Sequence, residues 1–403
     1  MNVLFLTLVK INSLQERGIY TDLLRKFSSE GHHVTVVCPI ERREKKATVL
    51  INEGSNTILK VKTFNLQKTN VVEKGIGTLA IEYQYLRAIK KHIKGVKFDV
   101  VVYSTPPITF SKVIQFIKKR DNAYAYLLLK DIFPQNALDM QMMKENGFLH
   151  RTFLKKERLL YAVSDTIGCM SIANKEYVLK HNPEVPVSKV EVNPNTIEPV
   201  EFIQSENAKI KIRNKYHLPL DKKILVYGGN LGVPQGLEFL LETIENTQRV
   251  DAFFLIVGSG TMYAKIEKWF QIKAPKNALL LAALPKEDYD SLLNSCDIGL
   301  IFLNKNFTIP NFPSRLLSYL EMKMPVIAAT DSATDIGSVI EDNNCGKWVS
   351  TGDQIGMQNA ITNLLSCSSE EFQEKKENAF SLLQKEYLVD RSYDLIINKI
   401  SNV

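Results

Sequence analysis

Cysteine is scarce in this chain, and its five copies (Cys38, Cys169, Cys296, Cys345, Cys367) are odd in number and scattered. No CxxC pair and no Cys/His cluster at zinc spacing occurs, which argues against a disulfide framework and a structural zinc site and fits a reducing cytoplasm. Long apolar runs are missing too. The longest, such as residues 278–284, fall well short of the roughly 18 residues of a membrane span and read as buried strands. The first ten residues, MNVLFLTLVK, carry no basic n-region and no small-residue cleavage site, so they are expected to form a strand and not a signal peptide. There is no GxSxG elbow, no Walker lysine and no HExxH. His32 and His33 sit at a helix-to-strand turn and read as structural, while His150 and His181 lack a neighbouring nucleophile.

What is present is an ordinary globular composition. Of 403 residues, 45% are hydrophobic and 24% charged, enough for two domains with separate cores. The net charge of +7 gathers in residues 42–46, 112–120 and 150–158. Basic residues interleaved with Phe, Ile and Leu suit an anionic membrane surface; a solvated helix face is the plain alternative for each cluster. No nucleic-acid motif accompanies the charge, so a nucleic-acid partner is not expected.

Strand-like runs at residues 2–8, 33–38, 58–64, 98–103, 124–129, 166–170 and 189–192 alternate with helical periodicity at 18–30, 76–93, 108–119 and 151–163. Such alternation predicts a parallel, doubly wound sheet. Residues 193–206 break the pattern with two prolines, and the alternation then restarts with strands at 223–227, 253–257, 278–281, 298–302, 326–329 and 347–350. The expectation is an α/β protein of two Rossmann-like domains facing a cleft, residues 1–198 and 199–380. Residues 381–403 should pack back on the first domain through the stripe Tyr393, Ile396, Ile397 and Ile400.

Two segments point to chemistry. Residues 226–236 read VYGGNLGVPQG, an apolar strand that breaks into glycines and opens a helix, a turn suited to phosphate. Residues 308–331 hold a Pro-Ser helix start, a carboxylate two turns in and a buried strand. Both loops belong at the carboxyl ends of parallel strands, where open α/β sheets bind nucleotides. GGNLG is not GxGxxG, and no acidic residue ends the next strand, which argues against a dinucleotide oxidoreductase. The DxD of Asp288-Tyr289-Asp290 lies in a helix-patterned stretch and reads as surface charge, not a metal site. Asp131 directly follows the strand at 124–129. It either polarises a substrate hydroxyl or stabilises developing positive charge, or it caps a helix that has Pro134 in its first turn. Ser104-Thr105-Pro106-Pro107 also ends a strand. Arg17-Gly18 opens the first helix, where phosphate contact and plain capping are both open.

These motifs, in this order and over nearly the full length, resemble family 4 of the retaining, GT-B-fold glycosyltransferases. More narrowly, the chain looks like bacterial enzymes that add amino-deoxy sugars in capsule or O-antigen assembly. The resemblance implies a nucleotide-sugar site in the second domain and an acceptor site in the first. It places Gly229, Asn230, Gly232, Gln235 and Gly236 beside the donor diphosphate, and Gly258, Ser259 and Gly260 near the base. Leu284 and Pro285 would read the base edge through backbone groups; Asn311, Pro313, Ser314 and Arg315 open the segment that holds phosphate and ribose. The family's Arg/Lys pair falls on neutral Asn230 and Gln235, and its glutamate pair falls on Pro310 and Ser318. Glu321, one helical turn beyond Ser318, is therefore expected at the ribose and Arg315 at the diphosphate. Arg17, Gly18, Ser104 and Pro106 would border the acceptor side.

The resemblance further implies a UDP-sugar donor, an N-acetylated amino-deoxy hexose, and a polyprenyl-diphosphate-linked saccharide as acceptor. It implies retention of configuration, no metal or other cofactor, and a cytoplasmic position on the inner face of the cell membrane. Two other classes stay open, a UDP-sugar epimerase of the similar two-domain fold and a non-catalytic partner subunit.

Overall fold

Runs rich in Val, Ile, Leu and aromatic residues fold as strands, and the amphipathic stretches between them fold as helices, in two compact units. The first unit comprises Met1–Glu198 together with Val389–Val403, and the second Pro199–Leu388. The computed structural model describes residues 1–66, 71–202 and 205–401; Ile203 and Gln204 of the expected linker lie outside the described residues.

The first unit is built on β1 (Asn2–Leu6), β2 (His33–Glu41), β3 (Val49–Glu53), β4 (Asn56–Thr63), β5 (Val100–Ser104), β6 (Tyr124–Leu129), β7 (Thr166–Cys169) and β8 (Val190–Val192). They lie side by side in the order β3-β4-β2-β1-β5-β6-β7-β8. Central β1 pairs in parallel with β2 and β5, Val3 opposite both Val34 and Val100. Helices cover both faces of such a sheet, so its middle strands are apolar throughout, and Val3, Leu4, Phe5 and Leu6 are fully buried. One edge departs from the all-parallel expectation. β3 and β4 form an antiparallel hairpin because Gly54, at φ +61°, reverses the chain within residues 53–56. β3 is mostly exposed, as an edge permits, and lacks the apolar run that marks the other strands.

The second unit holds β9 (Lys223–Asn230), β10 (Ala252–Ser259), β11 (Ala278–Ala282), β12 (Ile298–Phe302), β13 (Val326–Thr330) and β14 (Gly346–Ser350), all parallel, in the order β11-β10-β9-β12-β13-β14. Three strands are laid down outward on one side, then three on the other. The parallel strands of the first unit follow the same plan, with β1 and β5 in the places of β9 and β12. Where the winding changes direction, the loops at the strand ends diverge and leave a crevice; open α/β sheets bind ligands there.

The last helix, Val389–Ser401, belongs to the first unit. Its Val389 N–H donates to Ile197 O at 3.0 Å, and Val389 and Ile396 are buried in the cluster of Leu23, Leu24 and Phe27. The Tyr393 ring meets Phe27 edge-on at 5.0 Å, and its hydroxyl lies 3.0 Å from His32 Nε2. The return begins later than residue 381. Ser368 starts a helix with a capping box, that helix runs Ser369–Glu386 within the second unit, and Leu382 and Leu383 on it are buried. Among the described residues no helix is long and apolar enough to cross a membrane.

Candidate functional site

In the second unit the winding changes between β9 and β12, and both sequence segments singled out for chemistry follow those two strands. β9 and β10 stay in register to their tips, with Gly258 opposite Gly229 and Ser259 opposite Asn230. Leu231 N–H donates to Ser259 O at 2.9 Å, and Met262 N–H to Leu231 O at 2.8 Å. A Cβ on Gly258 would stand 1.9 Å from Gly229 O, and one on Gly260 2.3 Å from Leu231 O. Backbone approach alone therefore requires these two glycines, whatever binds beside them.

Past Gly229 and Asn230, both exposed, the chain makes a short turn at Val233–Gln235 and enters helix Leu237–Asn246 through Gly236 at φ +57°. Gly236 lies against the loop after β12, where a Cβ would be 2.8 Å from Leu303 O, and Asn304 N–H donates to Pro234 O at 3.0 Å. Gly232 is buried beside the Asn230 side chain.

The loop after β12 brings in the cation. Arg315 Nη2 donates to Gln235 Oε1 at 2.6 Å, and its guanidinium carbon sits 4.3 Å from the centre of the Tyr227 ring. Tyr227 in turn donates to Asn230 O at 2.9 Å, with Gln235 Oε1 at 3.3 Å. Arg315 Nη1 is buried with no partner, and so is Asn311 Nδ2. An unpaired buried donor costs roughly 1–3 kcal/mol, more when charged, unless a ligand satisfies it. The remaining Asn311 geometry is internal, its carbonyl accepting from Thr334 Oγ1 at 2.6 Å.

The helix that follows Pro313 is only Arg315–Glu321, and exposed Ser314, at its N-cap position, makes no side-chain cap bond. The Pro-Ser signal thus marks the helix start without capping it. Ser318 is half-buried, whereas Glu321 is buried and accepts the Val200 N–H at 2.9 Å. That carboxylate already serves the segment entering the unit. Leu284 and Pro285 lie between β11 and helix Lys286–Leu293, with Pro285 as the residue before the first turn. The DxD carboxylates are both in ion pairs, Asp288 with Lys215 at 2.8 Å and Asp290 with Lys286.

In the first unit the corresponding change lies between β1 and β5. Gly18 precedes helix Ile19–Ser29 and its N–H donates to Asp22 Oδ1 at 3.1 Å; Arg17 is half-buried beside it. Ser104 ends β5 and is buried, hydrogen-bonded to Tyr20, whose hydroxyl burial pushes up to about 12. Pro106 is exposed. Thr105 Oγ1 ties this turn to the next strand, donating to Asp131 O at 3.0 Å and accepting the Lys130 and Asp131 N–H groups at 3.0 and 3.1 Å.

Asp131 is half-buried, and both its carboxylate oxygens accept from Asn136 Nδ2, at 2.8 and 2.7 Å. The short helix beyond is Gln135–Asp139 with Pro134 at its N-cap position and no side-chain cap, so Asp131 is not its cap. Two neighbours escaped the sequence reading. Asn136 holds the carboxylate in place and keeps its own Oδ1 buried without a partner. Lys130 reaches the Asn193 and Pro194 carbonyls at 3.4 and 3.3 Å, and burial lowers its pKa to about 7. Its signal was a cation directly after a fully apolar strand.

The basic clusters divide. Lys118 is tied to Asp165 at 2.6 Å and Arg120 to Asp121 at 2.6 Å. His150 is buried, contrary to its place in the expected basic surface, because Nδ1 accepts the Asn146 N–H at 3.0 Å. Arg151, Lys155 and Arg158 remain exposed along one face of helix Phe148–Val163, Arg158 with Glu184 at 3.6 Å.

Two doubly wound units of this kind define the GT-B glycosyltransferase fold. An E. coli structure described as trehalose-6-phosphate bound with UDP-2-fluoro glucose superposes with a TM-score of 0.74 over 100% of this chain and 99% of that one, at 12% identity. Residues 208–381, nearly all of the second unit, match the family of glycosyl transferases group 1. The chain is a glycosyltransferase of GT-B type carrying a group 1 domain. It is 20% identical to the probable glycosyltransferase WbjE of Pseudomonas aeruginosa, across 85% of this chain and 84% of WbjE. It is 30% identical to the putative colanic acid biosynthesis glycosyl transferase WcaI of Escherichia coli strain K12, across 37% of each chain.

Proposed function

We propose that the protein is a retaining glycosyltransferase of family 4 that moves an N-acetylated amino-deoxy hexose from a UDP-sugar to a polyprenyl-diphosphate-linked saccharide during bacterial capsule or O-antigen assembly. The observation that carries this reading is the Arg315–Gln235–Tyr227 cluster at the β9 turn, with one guanidinium nitrogen unspent. A planar cation with a free N–H edge fits an anionic phosphate oxygen, and it stabilises the charge that grows on the UDP leaving group as the sugar–phosphate bond breaks. The glycine turn, Asn311 and the segment 311–315 complete the donor site, and Ser318 lines it. The UDP-sugar in the E. coli structure and the polysaccharide role in the name of WcaI agree with this choice of donor and pathway class.

Asp131 is assigned to the acceptor hydroxyl, with Arg17, Gly18, Ser104 and Pro106 on the acceptor side, and the acceptor oxygen attacks the face that the UDP leaves while its proton passes to the departing phosphate oxygen. No metal is required in this reading, since cationic and backbone N–H groups take the phosphate charge. The enzyme works as a peripheral protein on the inner face of the cell membrane. A groove of about 880 Å³, lined by the four cations Arg151, Lys155, Arg158 and Lys189 against the one carboxylate Glu184, with Leu154 and Val185 among its apolar walls, supports contact with anionic lipid.

The test is sequential. UDP should raise the thermal unfolding midpoint of the purified protein more than ADP or GDP does, and product should form from UDP-sugar only when a lipid-linked acceptor is supplied. Acceptor-independent conversion of the UDP-sugar would instead mark an epimerase, and UDP binding without turnover a non-catalytic subunit.

A further inference from the structure

Three tyrosines surround Gly228 and Gly229 at the end of β9, and two of them are fully engaged. Tyr227 donates to Asn230 O, and Tyr319, buried, accepts the Gly228 N–H at 3.3 Å while its hydroxyl lies 3.1 Å from Val226 O and 3.0 Å from Leu300 O. Tyr289 is different. It stands in the first turn of helix Lys286–Leu293 and reaches across the end of β9, so that a Cβ on Gly228 would be 1.9 Å from its Oη and 2.7 Å from its Cζ. Gly228 thus has no side chain because the Tyr289 tip occupies that space. Yet the hydroxyl makes no hydrogen bond to any described residue, although the ring is half-buried. Burial raises its pKa well above the ordinary tyrosine value, which keeps it an O–H donor at every physiological pH, and Arg315 lies within electrostatic reach.

A tyrosine held over Gly228 at the end of β9 with its O–H unused, within electrostatic reach of a guanidinium with an unused N–H, offers a second donor at that strand end. We infer that Tyr289 is a donor-binding residue whose hydroxyl hydrogen-bonds a phosphate oxygen of the bound nucleoside diphosphate. The inference rests on the donor-site reading above and adds a group that the glycine motif and Arg315 do not supply. The ring fixes the position and the hydroxyl makes the contact, so removing the oxygen alone should cost binding and nothing else.

Calorimetric titration of UDP into wild type and Tyr289→Phe, with uridine measured by competition, tests it. The variant should bind UDP at least about tenfold more weakly, the scale of a hydrogen bond to a charged group, with uridine affinity and the thermal midpoint without ligand both unchanged. UDP affinity equal to wild type would overturn the assignment. Equal weakening for UDP and uridine would also overturn it, by moving the hydroxyl to the nucleoside; so would a lowered midpoint without ligand, which would make the oxygen structural. Failure of wild type to bind UDP would remove the donor site itself and the role of Tyr289 with it, an outcome visible before any variant is made.

Discussion

Arg315 and Gln235, 80 residues apart in sequence, are joined by a single hydrogen bond of 2.6 Å that spends the Nη2 nitrogen and leaves Nη1 buried and unpaired. Gln235 is neutral, so it orients the arginine without cancelling its charge. A carboxylate in its place would neutralise the cation before any ligand arrived.

From this pair, Arg315→Ala should weaken UDP binding by about 1.5–3 kcal/mol, the range for hydrogen bonds to charged groups. Uridine, which carries no phosphate, should bind as before. Calorimetry on both ligands decides it, and equal losses for the two would take the phosphate role away from Arg315.

Asp131→Asn keeps the shape of the side chain and removes its charge. Turnover should fall roughly a hundredfold or more, the scale of a positioned acid–base or electrostatic group, while UDP affinity stays put. Because Asp131 caps no helix, the thermal midpoint should move little. Near-normal turnover in steady-state assays would end the catalytic assignment.

Glu321 accepts a backbone N–H from Val200, so Glu321→Ala strands that donor. A loss of about 1–3 kcal/mol in chemical denaturation is expected. If the residue also holds ribose, Glu321→Gln should retain most of the stability and still weaken uridine and UDP alike.

Burial raises the Glu157 carboxyl to about 7, partly offset by the Tyr161 hydroxyl that donates to it at 3.0 Å. The folded protein then keeps a proton that the unfolded chain releases near 4.5. Stability from this group is fully present below about pH 4.5, is lost as pH rises through 7, and stays low beyond, on the order of 3 kcal/mol in all. Glu157→Gln should flatten that part of the profile. Denaturation curves at pH 5 and 8 with the same wild-type and variant difference would refute the assignment.

The strands were legible because central parallel strands are apolar on both faces, and residues such as Val3 to Leu6 announce themselves. β3 was not, since an exposed edge needs no apolar run. At the candidate site the glycine turn could be read from composition, but the closure of Arg315 on Gln235 depends on β9 and β12 being neighbours, which no local pattern encodes. Helical spacing put Glu321 near Ser318; only packing shows it turned to Val200. Asn136 stayed hidden because a non-helical turn separates it from the carboxylate it holds, five positions earlier.

The placement of Val389–Ser401 in the first unit has a consequence for how the chain is made. Synthesis of Pro199–Leu388 intervenes, which at roughly 5–20 residues per second takes on the order of ten to forty seconds. Through that interval Leu23, Leu24 and Phe27 wait without the helix that covers them. The half of the protein that emerges first is therefore the last to be sealed, and a nascent chain that stops short leaves behind a greasy scar for chaperones and proteases to find.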